Sequence, residues 1–235
     1  MKVLFFGNHT VGVEALTALS QTAEVVGVIA HPPDAEDGVR YQSVYDFARE
    51  RGWHVVRAAG RDHALEELVA HLSPDLVWIT DYRYILPPSI IAEPRLGAVN
   101  LHPSLLPKYR GRAPINWAII HGEKRLGLTA HFVDEGVDSG DIIEQVSYEL
   151  TMEQDVGDAL DALYPLYREL TRRVIDRLAT GDVARIRQDH SLATVFPRDG
   201  ALLLTQIEHG SGESAALWEG AVLGDGEGPC ETVSG

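Results

Sequence analysis

The sequence has a single cysteine, Cys230, among its 235 residues. One thiol cannot form an intramolecular disulfide or supply a multi-cysteine zinc site, so we expect neither cross-link to stabilise the fold. Long apolar runs are also lacking, since no stretch approaches the roughly 20 residues needed to cross a bilayer. The apolar run at the N-terminus breaks at Gly7, too early for the apolar part of a signal peptide. We therefore expect a cytoplasmic protein with no membrane partner.

Positive charge is scarce, because 20 Lys and Arg stand against 35 Asp and Glu, giving a formal net charge of −15. Proteins that bind nucleic acid do so largely by neutralising phosphates with basic side chains, so we expect no nucleic-acid partner. Residues 199–235 contain seven acidic residues and no Lys or Arg, and glycine and serine are frequent there. We predict a folded domain over residues 1–198 and an acidic, partly mobile C-terminal extension over 199–235.

Short apolar runs alternate with helical patterns along the first part of the chain. Strands are predicted at Val3–Phe6, Glu24–Ala30, Val55–Val56, Asp75–Thr80 and Gly97–Leu101. The segments between them have helical patterns at residues 13–20, 43–51 and 64–72. Strands that alternate with helices form parallel sheets with right-handed crossovers. The sequence therefore predicts an α/β fold with helices flanking a parallel sheet.

Two further β-rich runs follow later in the chain, at Leu126–Val133 and Ile142–Leu150. They are separated by the acidic, glycine-containing stretch DEGVDSGD, which favours a loop between paired strands. Apolar residues then recur at three- and four-residue spacing over Asp155–Leu178, the pattern of an amphipathic helix. We expect this helix to pack on the sheet.

Chemistry-bearing side chains are densest just after the strand at Gly97–Leu101. In an extended strand alternate side chains share a face, so Asn100 and His102 point the same way, with Leu101 between them. Asp138 lies in the later DEGVDSGD loop, where a carboxylate on a tight turn can face the same strand end. Each of the three alone is more often a turn former or a core residue. Together they offer an oxyanion donor, an acid and a base.

The stretch NLHPSLLPKYRG, followed by a Val-Asp-Ser-Gly loop, resembles the folate-dependent formyltransferases over roughly residues 1–198. This family includes glycinamide ribonucleotide, methionyl-tRNA and amino-sugar formyltransferases. The resemblance implies a Rossmann-like catalytic domain with 10-formyltetrahydrofolate as co-substrate and no metal. It also implies that Asn100 and His102 stabilise the oxyanion of the tetrahedral intermediate and that Asp138 relays a proton. We further expect the Asp138 carboxylate to favour a protonated His102.

The resemblance also places the folate, between the segment before the catalytic strand and the Asp138 loop. The pterin ring is then expected to pair with backbone groups while apolar side chains cover its faces, in a mostly apolar slot. The residues implied as folate-binding are Tyr84, Ile85, Leu86, Glu135 and Val137.

The acceptor is a more open question than the co-substrate. The stretch RGRAPINW at residues 110–117 resembles the amino-sugar branch, which implies a small amine acceptor, with a nucleotide-linked amino sugar as the first choice. Arg110 and Arg112 either bind an acidic acceptor through their planar guanidinium groups or only cap and solvate. Tyr109 and Asn116 either contact the acceptor or pack a helix.

Alternative functions remain open at this point. A methionyl-tRNA formyltransferase is expected to bring a further C-terminal domain and a basic surface, neither of which the sequence shows. The same three residues can direct water at the formyl carbon, as in a 10-formyltetrahydrofolate hydrolase. A non-catalytic folate-binding module has no need of the proton-transfer set. His121, His131 and His190 lack ligand-like neighbours, so we expect no metal site. A homodimer is one of the oligomeric states that the sequence leaves open.

Overall fold

The computed structural model describes residues 1–32, 41–58, 63–151 and 156–196. The predicted acidic extension over 199–235 lies outside the described residues, and so does the proposal that it is partly mobile. The predicted domain over 1–198 is described to Phe196, and its boundary stays a prediction.

Strands and helices alternate from the N-terminus, as the sequence pattern predicts. The strands are β1 (Lys2–Gly7), β2 (Glu24–Ala30), β3 (Val55–Arg57), β4 (Leu76–Thr80), β5 (Ala98–His102), β6 (Arg110–Gly111), β7 (Arg125–Phe132), β8 (Ile142–Glu149) and β9 (Val195–Phe196). The helices are α1 (His9–Thr22), α2 (Val44–Glu50), α3 (His63–Leu72), α4 (Pro88–Ala92), α5 (Pro114–Ile120) and α6 (Val156–Thr180), with a 3₁₀ turn at His190–Leu192.

The main sheet has seven strands in the order β3-β2-β1-β4-β5-β7-β8 within the described residues. The strands from β3 to β5 run parallel, whereas β7 is antiparallel to both β5 and β8. The predicted parallel sheet and the predicted pairing across the DEGVDSGD loop are both confirmed. The order reverses at β1 and β4, so the carboxyl ends of the central strands form the edge where doubly wound sheets bind ligands.

Both faces of the central strands are buried, because helices cover each side. Every residue of β4 is buried, as its continuous apolar run predicts. The alternating side chains divide the core in two: Phe5 and Trp78 pack with α1 and α6, whereas Phe6 and Val77 pack with α3 and α4. This two-sided core fixes the register of the sheet and with it the positions of the strand ends.

Helix α6 packs against α1 and against the β7–β8 end of the sheet. Its buried stripe includes Leu163, Tyr167, Leu170 and Val174, which confirms the predicted amphipathic helix. No helix among the described residues is long and apolar enough to span a membrane.

After α6 the chain runs back across the molecule. Ile186 forms an isolated antiparallel bridge with Ile142, and β9 pairs in parallel with β6. We call residues 185–196 the return segment. The sequence pattern did not predict its pairing with β6, because two-residue strands carry no periodic signal.

Candidate active site

Strand β5 delivers two of the predicted site residues to the carboxyl edge of the sheet. Asn100 and His102 share one face, whereas the Leu101 side chain between them belongs to the hydrophobic core. His102 is only 5% exposed. Strand β5 lies between β4 and β7 in the sheet, so these side chains stand on an interior strand that is paired on both sides.

Asp138 reaches the same strand end from the loop between β7 and β8. Its carboxylate accepts from Asn100 Nδ2 at 3.3 Å and from the Gly111 backbone N–H at 2.9 Å, and its Oδ2 lies 3.5 Å from His102 Nδ1. Its backbone is left-handed, with φ of 48°, a conformation that aspartate tolerates better than most residues. The structure therefore brings the three predicted catalytic side chains together.

His131 completes the cluster, although the sequence pattern carried no ligand-like or catalytic signal for it. It lies directly opposite Asn100 in the antiparallel pair of β5 and β7, and it is 2% exposed. Its Nδ1–H donates to the Phe132 carbonyl at 2.8 Å, and its Nε2 lies 3.2 Å from Asn100 Nδ2. The same Nε2 lies 3.5 Å from Asp138 Oδ1. His131 could be identified only from the register of β7 against β5, which a single sequence does not specify.

The protonation states differ from the expectation for His102. Its Nε2–H donates to the Tyr109 carbonyl at 2.7 Å, so Nδ1 faces Asp138. Burial lowers the pKa of His102, and this outweighs the nearby Asp138 carboxylate, which favours the cation. Burial opposes ionisation of Asp138, but positive charge on the neighbouring imidazoles of His102 and His131, together with the Gly111 N–H, holds the pKa of Asp138 well below its usual range. The two lowered pKa values favour an ionised Asp138 beside a His102 that gives up its proton more readily than a free imidazole.

Arg110 turns into the interior of the protein, and its contact to an acceptor stays a prediction. Its side chain is buried, and its Nε and Nη2 donate to Gln188 Oε1 at 3.2 and 2.6 Å. Its Nη2 also donates to His190 Nδ1 at 3.1 Å. A buried guanidinium must have such partners, because an unpaired buried charge is costly. Arg110 therefore serves the interior of the site.

Tyr109 also turns inward, and its contact to an acceptor stays a prediction. Its backbone has φ of 58°, which directs its carbonyl to His102 and its side chain elsewhere. The buried ring stacks on Phe196, and its hydroxyl donates to Glu123 at 2.9 Å. Burial and the Glu123 carboxylate raise the pKa of Tyr109 far above its ordinary value, so the ring is neutral.

The other two predicted acceptor contacts stay at the surface of the site. Arg112 is exposed, and its Nη2 donates to the Arg83 carbonyl at 2.9 Å. Asn116 is half-buried on α5. The structure leaves both in place as predictions.

The predicted folate-binding residues divide into three kinds. Ile85 and Val137 are strongly exposed, at 74% and 54%. Leu86 is buried in the hydrophobic core, and its contact to the folate stays a prediction. Tyr84 packs its ring near His31, and Glu135 is exposed. The first pair remains suited to covering an aromatic ring.

Metal ligands are not assembled in the part of the chain that the structure describes. No group of three or more His, Cys, Asp or Glu side chains converges there to hold an ion.

The fold and the site together define an α/β protein with a cluster of amide, imidazole and carboxylate groups at the carboxyl edge of its sheet. Residues 1–175 match the formyl transferase family, so the chain belongs to that family. It is 34% identical over 203 residues to the methionyl-tRNA formyltransferase of Alkaliphilus oremlandii, which covers 84% of this chain. The chain spans 65% of the length of that relative.

Two solved structures share the fold. The N-formyltransferase from Helicobacter canadensis, in complex with folinic acid and dTDP-3-aminofucose, superposes with a TM-score of 0.70 at 20% identity, over 85% of this chain and 71% of its own. The phosphoribosylglycinamide formyltransferase from Streptococcus pneumoniae superposes with a TM-score of 0.65 at 24% identity, over 76% and 98% of the two chains. The predicted family and the predicted Rossmann-like fold are confirmed.

Proposed function

We propose that the protein is an N-formyltransferase that moves a formyl group from 10-formyltetrahydrofolate to the amine of a small acceptor. The observation that carries this proposal is the convergence of Asn100, His102 and Asp138 at the end of β5 in a chain of the formyl transferase family. In this proposal a binding module is disfavoured, because it has no use for an ionised carboxylate held beside a neutral imidazole.

The chemistry follows from those groups. The acceptor amine attacks the formyl carbonyl, the new C–N bond forms, and the carbonyl oxygen takes up negative charge. Asn100 Nδ2 is the donor that can turn towards this oxyanion. The attacking amine then gives a proton to His102 Nδ1, where the Asp138 carboxylate stabilises the resulting imidazolium. The bond to the folate nitrogen breaks as that nitrogen is protonated, and His102 returns to its neutral form.

A nucleotide-linked amino sugar is the acceptor that we favour. Arg112 is exposed and comes directly after Gly111, whose N–H donates to Asp138. Arg112 is therefore the sequence neighbour of a residue that contacts the proposed reacting centre. The contact to the Arg83 carbonyl restrains that guanidinium, and its planar fork suits a phosphate. The Helicobacter canadensis enzyme, which shares this fold, was solved with such an amino sugar nucleotide.

A second candidate acceptor is methionyl-tRNA, and the 34% identity to methionyl-tRNA formyltransferases favours it. The net charge of −15 argues against it, because affinity for tRNA depends on neutralising phosphates. The two candidates differ in one measurable respect: turnover on tRNA is expected to fall steeply with salt. A cytoplasmic location is part of the proposal and is supported by the folate co-substrate and the single cysteine.

The test is an assay of the purified protein with 10-formyltetrahydrofolate and three acceptor classes: amino sugar nucleotides, glycinamide ribonucleotide and methionyl-tRNA. Release of tetrahydrofolate and the mass of the product are followed together. We expect one formyl group to be added to an amino sugar nucleotide. Formylated methionyl-tRNA identifies the second candidate, whereas formate release with no modified amine identifies a hydrolase.

The controls separate catalysis from folding. Asp138→Asn and His102→Ala are expected to lower kcat at least about 100-fold. Asp141→Asn is the matched control, because Asp141 belongs to the same loop and, among the described residues, its carboxylate makes only a long contact, to Arg185 at 3.9 Å. Its backbone carbonyl, which accepts from the Phe132 N–H, is unchanged by the substitution. Wild-type turnover in Asp138→Asn contradicts the proposed site.

A further inference from the structure

The return segment enters the candidate active site through one buried side chain, Gln188, which is 4% exposed. We infer that Gln188 is a positioning residue for the Asp138 carboxylate, acting from behind the loop without touching the reacting atoms. The inference rests on the proposed function, because it assigns the support of a carboxylate whose catalytic role is itself proposed.

Both the N–H donors and the oxygen of the Gln188 amide form hydrogen bonds in the candidate active site. Its Nε2 donates to the carbonyls of Asp138 and Gly140, at 2.9 and 2.7 Å. Its Oε1 accepts twice from the buried Arg110 guanidinium. An amide has two N–H donors and two oxygen lone pairs, so four bonds satisfy it completely. Such a bonded side chain has one orientation and fixes its partners.

Those partners are the two pieces of chain that hold the carboxylate. One is Asp138 itself, whose left-handed backbone is a conformation that its surroundings must enforce. The other is Arg110, the residue immediately before the Gly111 whose N–H binds Asp138 Oδ2. Gln188 therefore ties the carboxylate-bearing loop to the strand that supplies the hydrogen bond. Loss of this link lets the two pieces move apart.

A neutral amide suits this place because it can accept from the Arg110 guanidinium and also donate to the carbonyls of Asp138 and Gly140. A carboxylate in its place can still pair with Arg110, but it has no N–H for the carbonyls of Asp138 and Gly140 and repels both. Gln188→Glu is therefore the informative variant, since it keeps the shape and the contact to Arg110 while removing the contacts to the catalytic loop.

The first experiment does not depend on the acceptor. The Gly111 amide resonance in an ¹H–¹⁵N NMR spectrum reports its hydrogen bond to Asp138 Oδ2. It is recorded for the wild type, Asp138→Asn, Gln188→Ala, Gln188→Glu and Gln145→Ala. Gln145 is the matched control, because its Nε2 also donates to two groups, the Leu106 carbonyl and Thr129 Oγ1, away from the Asp138 loop.

We expect the Gly111 resonance to move upfield in both Gln188 variants, in the direction that Asp138→Asn moves it. In Gln145→Ala it stays near the wild-type position. A Gly111 resonance that stays in place in both folded Gln188 variants overturns the inference, and so does an equal shift in Gln145→Ala.

The second experiment is kinetic, with the acceptor that the assay identifies. A catalytic group displaced by about 1 Å costs on the order of 100-fold, so we expect kcat to fall about 10- to 100-fold in both Gln188 variants. KM for 10-formyltetrahydrofolate is expected to change less than about 3-fold, since the change acts on the reacting geometry. Recovery of kcat in Gln188→Glu overturns the inference, because it shows that the Arg110 contact alone matters. Unchanged turnover in Asp138→Asn instead overturns the proposed function and is recognised separately.

Discussion

Phe196 fastens the end of the return segment, and its removal is the perturbation whose magnitude the structure allows us to work out. Its ring stacks on Tyr109 with centroids 5.5 Å apart and on Trp117 at 4.8 Å, and it lies 5.2 Å from His121. Truncation of a fully buried phenylalanine to alanine costs about 3–5 kcal/mol. Phe196 is only half-buried, so we expect Phe196→Ala to lower the free energy of unfolding by about 2 kcal/mol.

Thermal and urea denaturation measure this loss. For a protein of this size about 1 kcal/mol corresponds to a shift of about 2–4 °C, so Tm is expected to fall by about 4–8 °C. The neighbouring Val195 is 60% exposed, and Val195→Ala is expected to change stability by less than about 0.5 kcal/mol. Phe196→Leu is expected to lie between the two, because it keeps apolar volume but loses the ring contacts.

Hydrogen exchange locates the effect. The amides of Arg110 and Arg112 donate to the Thr194 and Phe196 carbonyls. If the segment opens locally, about 2 kcal/mol corresponds to roughly 30-fold faster exchange at these amides in Phe196→Ala. Equal Tm values for the alanine variants of Phe196 and Val195, with unchanged exchange at Arg110, refute the reasoning that the ring fastens the segment.

Three further predictions follow from the described contacts. Because the pKa of His102 lies below its ordinary 6.5 and the neutral imidazole must accept the proton, kcat/KM is expected to be full above that lowered pKa and to fall as pH drops through it. A pH profile that rises towards acid contradicts this assignment. Gly111→Ala is expected to destabilise in urea titrations by about 1–3 kcal/mol more than the control Gly122→Ala. Both glycines have positive φ, but only at Gly111 does a Cβ meet a backbone atom, the Phe196 carbonyl oxygen at 2.6 Å. Dialysis against EDTA is expected to leave turnover unchanged, and a loss that zinc restores disproves a metal-free mechanism.

The parts of the site that follow from local sequence were predictable. Asn100 and His102 share a face because strands have a period of two, and the continuous apolar run of β4 marks a central strand. The direction of side chains at left-handed residues was not predictable: the turn at Tyr109 sends Arg110 inward, against the usual preference of arginine for the surface.

Contacts between residues far apart in the sequence were the other part of the site that could not be predicted. His131 meets Asn100 only through the antiparallel register of β7, which a single sequence does not specify. Gln188 is 50 residues from Asp138 and 78 from Arg110 along the chain, in a segment without periodicity. Contacts at such separations depend on how the whole sheet and α6 place the two segments, and no local pattern encodes them.

The return segment lies beyond all the strands of the main sheet, yet it contacts the candidate active site. The match to the formyl transferase family ends at residue 175, and the seven strands of the main sheet all precede α6. A chain ended after Thr180 keeps every one of these strands, yet it loses the amide that spans the Asp138 loop and the ring that stacks on Tyr109. Such a shortened protein is expected to keep the main sheet while its Asp138 loop loses one of its supports. For this chain, the end of the family match at residue 175 is therefore a poor guide to how much of the chain the candidate active site needs.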